Sequence, residues 1–111
     1  MSWLDYFLRR RINTELVEAA QAIAVRRRIA VWERVEDTVP QMSTSEARGY
    51  IRARAATIVH SEADKVIAGH DLLTDAQLPL LVAAAPDAVI ADILVERNRR
   101  RTASAAVARA A

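Results

Sequence analysis

The sequence predicts an all-α fold: a small bundle of three long helices and one short helix, completed by oligomerisation or by docking on a larger partner. Three observations carry that expectation. Of 111 residues, 23 are Ala and 15 are Arg, and both types rank high in helix propensity. Three Pro and two Gly leave little punctuation for the many turns an all-β chain needs. Apolar residues recur at spacings of three, four and seven, and no strand-like alternation occurs.

The length fits one domain with a small core. Residues 1–101 read as a single helical domain, with 1–12 as an amphipathic N-terminal helix or arm and 102–111 as an Ala-rich tail. Hydrophobic residues form 52% of the chain and charged ones 27%, as in folded soluble proteins rather than disordered ones. The absence of Cys excludes disulfides, thiolate catalysis and cysteine-based zinc or iron–sulfur centres.

Each element has its own signal. Ser2-Trp3-Leu4-Asp5 has capping-box spacing, and Trp3, Leu4, Tyr6, Phe7 and Leu8 follow it closely, with Asp5 opposite Trp3 and Phe7. Arg9, Arg10 and Arg11 come next. Asn13-Thr14-Glu15 is a second start signal, at which the helix either breaks or runs through. From Thr14 to about Thr38 there is no Gly or Pro, and one long helix is predicted. It has two apolar stripes, one through Val17, Ala20, Ala24, Val31 and Val35, the other through Ala22, Val25, Ile29 and Trp32. A helix on the surface of a monomer needs one stripe, so Val25, Ile29 and Trp32 are the expected protein interface.

Pro40 ends that helix, and Ser43 with Glu46 forms the next capping box. The helix behind it shows Ala47, Ile51, Ala55, Ile58, Val59 and Val66 on one face, with Gly49 near its start. It is expected to stop at Gly69 in a left-handed turn. Thr74 to Gln77 repeats the capping-box spacing and opens a short helix between Pro79 and Pro86. Pro86 is then expected at the first position of a last helix, with Val89, Ile90, Ile93 and Leu94 on its apolar face. Arg97, Arg99, Arg100 and Arg101 gather toward its end as a basic patch.

Charge is uneven along the chain. Residues 1–54 carry +3, residues 55–96 carry −6 and residues 97–111 carry +5. Basic ends around an acidic middle favour docking at the ends or pairing between copies. The Arg-over-Lys bias suits phosphate and carboxylate recognition, although GC-rich coding produces the same bias. Arg9–Arg11, Arg26–Arg28 and Arg97–Arg101 are candidate phosphate contacts, but three consecutive helical arginines fan around the axis and make no single face.

No catalytic, cofactor or metal-ligand set is predicted, and the chain does not read as an enzyme. His60 with Asp64, near Glu62, His70 and Asp71, is the one cluster with metal-edge spacing, and it lacks a diagnostic third ligand. No serine has a base and elbow glycine, and no glycine loop is built to cradle phosphate. No run of about 18 uninterrupted apolar residues is present, and the first apolar group precedes its arginines, the reverse of a secretory signal. Cytoplasmic placement follows as the expectation, at the inner membrane surface if the first helix meets lipid.

That first helix carries a resemblance. Met1 to Leu8, the basic run Arg9 to Arg11 and Asn13-Thr14 resemble the start of MinE, the bacterial division-site topological factor. Over residues 1–28 the resemblance implies a membrane-targeting amphipathic helix followed by a helical stretch that contacts the MinD ATPase. The family then continues into a β-containing dimerisation domain, whereas nothing after Thr38 here reads as strand. The functional expectation is a helical structural or adaptor protein acting through contacts in a homo-oligomer or larger assembly. Trp3, Leu4, Phe7, Leu8, Arg9, Arg10 and Arg11 would meet the membrane or a partner. The alternatives are a peripheral membrane factor anchored by residues 2–11 and, after it, a nucleic-acid-binding protein.

Overall fold

Ser2 caps the first helix, its hydroxyl accepting from the backbone N–H of Asp5 in the first turn. The computed structural model describes residues 2–110. Met1, at the head of the MinE-like segment, and Ala111, at the end of the Ala-rich tail, lie outside the described residues. Helix α1 spans Trp3–Val35, α2 spans Thr44–Ala68 and α3 spans Leu78–Ala110, with single 3-10 turns at Val39–Gln41 and Asp75–Gln77. Among the described residues there is no strand.

Helix α1 runs straight through Asn13-Thr14. The Thr14 hydroxyl donates back to the Arg10 carbonyl at 3.0 Å instead of capping a new start, the usual behaviour of a mid-helix threonine. The helix ends at Val35, a few residues before the expected Thr38, and Pro40 falls in the 3-10 turn that follows. Ser43 and Glu46 form the full reciprocal box at the start of α2. At its end Gly69 has φ −102° and not the left-handed conformation expected of it. The next turn is closed instead by the His70 ring, whose Nδ1 accepts from the N–H groups of Leu72 and Leu73 at 3.0 and 2.9 Å.

The fourth, short helix does not stand apart. The capping box at Thr74 and Gln77 is present, but it opens a 3-10 turn that passes directly into α3, and Pro86 lies buried inside that helix. Proline at such a position removes one hydrogen bond and crowds the preceding turn. Here both flanks are held by packing, with Leu81 and Ala85 before it and Val89, Ile90 and Ile93 after it all fully buried. Tertiary contact overrides the local breaker.

Two short connections make the helices alternate in direction, so α1 and α3 run parallel and α2 antiparallel to both. Helix α3 lies against both others. Ile23, Val31 and Val35 of α1, Ile51 and Val59 of α2, and the α3 residues just named fill the interior, closed at the ends by Val39 and Leu73. That packing accounts for part of the apolar composition of α3, while Leu80 and Val95 stay exposed. Segment 75–110 is the one helix among the described residues long and apolar enough to cross a membrane, with an 18-residue stretch of mean hydropathy 2.0. The molecule measures 64 × 26 × 23 Å. The excess length comes from two overhangs: residues 2–11 extend past one end of the packed region and 102–110 past the other, all exposed.

Candidate functional site

The N-terminal overhang is the most apolar free surface. Trp3, Leu4, Tyr6, Phe7 and Leu8 are each 50–68% exposed. At 100° per residue these five positions cover more than half the helix circumference. Phe7 sits between two aromatic neighbours, with Trp3 edge-on at 5.2 Å and Tyr6 at 5.9 Å between ring centroids. Arg9, Arg10 and Arg11 form an exposed basic collar between this tip and the bundle. Ile12 is the first side chain to touch the core, and Glu15, 3.5 Å from His70 Nε2, marks where α2 ends alongside α1.

The three residues expected as one interface on α1 separate. Val25 and Ile29 are 63% and 68% exposed, while Trp32 is buried. Of the first stripe, Ala20, Ala24, Val31 and Val35 enter the core and Val17 stays outside. The side of the α1–α3 pair left uncovered by α2 holds a shallow groove of about 300 Å³ lined by Gln21, Ala24, Val25, Ala88, Ala91 and Asp92. Exposed Val95 lies one turn beyond Ala91. Small residues along such a seam let another helix approach closely, and large exposed ones at its edges supply contact area.

The arginine clusters divide by direction. Arg26 and Arg27 turn to α2, where Arg27 Nε and Nη2 donate to Glu62 Oε2 at 3.0 and 2.6 Å and Arg26 Nη1 donates to Oε1 at 3.2 Å. Glu62 is buried, and the hydrogen bond from Arg27 holds its carboxyl below the ordinary value of 4.5, against the opposing effect of burial. Arg28 instead lines a second depression beside Ile29, Trp32, Glu96, Arg99 and Arg100. On α3, Arg97 is not part of an open patch. It is buried and donates to the Met42 carbonyl at 3.2 Å and the Thr44 hydroxyl at 3.1 Å, fastening α3 to the start of α2. Arg99 and Arg100 both pair with Glu96, and the Arg100 guanidinium lies 4.7 Å over the Trp32 ring. Arg101 reaches the Pro40 carbonyl.

Glu62 was not visible as a structural residue from its neighbourhood in sequence with His60 and Asp64. The signal was its register, three residues after Val59 in the buried row Ile51, Ala55, Val59. His60 Nε2 lies 3.6 Å from Asp64, both on the exposed side of α2. His70 is spent on the turn and on Glu15. Among the described residues no three His, Cys, Asp or Glu side chains gather as a metal site requires.

Fold and surfaces together define a three-helix rod with an apolar tip at one end and an arginine-rich region at the other. Compared with protein-family models, curated proteins and solved structures, the chain matches none.

Proposed function

We propose that this chain is a non-enzymatic helical adaptor that works by contact, within a homo-oligomer or a larger assembly. The observation that carries the reading is the Trp3–Leu8 overhang, five large side chains at least half exposed on a helix that projects clear of its own core. Isolated exposed apolar residues are ordinary, but contiguous ones mark interaction surfaces. The groove between α1 and α3, edged by Val25, Ile29 and Val95, gives a second surface on the same molecule. Light scattering after size exclusion tests this. The parent chain should show a mass above the 12.3 kDa of one copy, or a stable complex with a partner. Trp3→Ala with Phe7→Ala should return it to a single copy without loss of helicity. A parent that remains monomeric and unaffected by the pair of substitutions would overturn the reading.

A second reading is favoured by the collar of Arg9, Arg10 and Arg11 directly behind the tip. Apolar residues that enter the interface and basic ones that meet anionic headgroups are the two requirements of a membrane-surface helix, and the resemblance to MinE points the same way. On this reading the chain is a peripheral factor at the inner membrane surface. Sedimentation with anionic vesicles that is lost in the same double variant would select it over the protein-contact reading. Nucleic-acid binding is the weakest of the three, because Arg26 and Arg27 are paired with Glu62 and Arg97 is buried.

A further inference from the structure

At the end of the rod opposite Trp3, a cleft of about 300 Å³ is lined by Trp32, Pro40, Arg97, Arg100, Arg101 and Ser104. Its chemistry is one-sided. Three arginines, an indole and a serine line it, largely through their apolar atoms, and no carboxylate does. Glu96, the acid that pairs with Arg100, sits on the far side of the Trp32–Arg100 stack, in the neighbouring depression.

Two of the cleft's lining side chains each bury a donor that has no partner. Trp32 Nε1 and Arg97 Nε are both buried without a hydrogen bond, on side chains only 7% and 3% exposed. Buried donors are almost always satisfied, and an orphan calls for a reason. Arg97 also sits in a position hostile to its own charge, since burial and then the nearby charge of Arg101 hold its guanidinium below its ordinary value. The carbonyls of Pro40 and Met42 accept from Arg101 and Arg97, but they bring no negative charge. A bound anion would relieve that repulsion by accepting from the free guanidinium donors of the exposed Arg100 and Arg101.

We propose that this cleft is a binding site for a phosphate-bearing anion. Arg100 and Arg101 supply the accessible charge at its mouth, and Arg97 and Trp32 form its floor. Bidentate guanidinium forks suit phosphate oxygens, and an indole beneath Arg100 keeps that fork in one plane. A headgroup of an anionic lipid and a free polyphosphate present the same group, and the site is read as recognising what they share.

The indole makes the site its own reporter. The chain has two Trp, so Trp3→Ala with Phe7→Ala leaves Trp32 alone and also disables the arm at the other end. In that background, tripolyphosphate at low ionic strength should change Trp32 emission saturably, whereas sodium chloride of equal ionic strength should not. Arg101→Ala and Arg100→Ala, both at exposed positions, should each weaken the response about tenfold with helicity retained. Vesicles of phosphatidylglycerol in place of tripolyphosphate identify the source: a response to vesicles alone assigns the site to lipid, and a response to tripolyphosphate assigns it to soluble phosphate. No saturable change with either probe, an equal change with chloride, or an Arg101→Ala chain that titrates like its parent would each overturn the proposal.

Discussion

Glu62 is the residue at which the chain departs furthest from simple patterning. It occupies a core register on α2 and is held there by two arginines from α1, themselves 59% and 38% exposed at the side chain. Because its folded pKa is depressed by the Arg27 bond, its contribution is fully present above the ordinary value of 4.5 and is lost as pH falls through the folded value. Glu62→Gln keeps the shape and removes the charge, and should destabilise the chain by about 1–2 kcal/mol at neutral pH. Paired urea melts at pH 7 and pH 3 should show that gap closing in acid. A gap of constant size would mean that the carboxylate charge is not what the arginines hold. Sequence spacing placed Glu62 beside His60 and not inside the bundle, because a carboxylate in an apolar row reads as an error until its partners on another helix are known.

At the scale of the element, start signals were more legible than stop signals. Ser43 forms the full box its spacing predicts, Ser2 forms its half of one, and Thr74 pairs with the Gln77 side chain at the head of a 3-10 turn, since a cap is a contact between residues three apart. Continuation was not legible at Thr14 or Pro86. Whether a helix survives a weak position depends on what packs against its flanks, and those residues lie far away in sequence. Gly49 offers a clean test of local propensity in this frame. It is exposed on α2, and a Cβ built there meets nothing within 4 Å. Gly49→Ala should therefore stabilise the chain by about 1 kcal/mol, raising the thermal midpoint by a few degrees in a calorimetric scan. An unchanged or lower midpoint would show that α2 is not helical at that turn in solution.

For the whole molecule, the all-α class followed from composition, whereas the exposure of the 2–11 tip and the separation of Val25 and Ile29 from Trp32 did not. Two apolar stripes on α1 mark two directions of contact, but only the path of α3 decides which stripe is covered. The same packing leaves both overhangs without tertiary partners, so their helical hydrogen bonds are protected by local structure alone. Hydrogen exchange should find amides of 102–110 exchanging orders of magnitude faster than those of Ile90 and Ile93, at neutral pH and 25 °C. Slow exchange in 102–110 would mean that a second molecule covers them. With an odd number of alternating helices, the chain enters at one pole and leaves at the other. A body gripping the aromatic tip and another bound near Ser104 would thus be kept apart by most of the 64 Å length, and the rod would act between them as a strut of fixed reach.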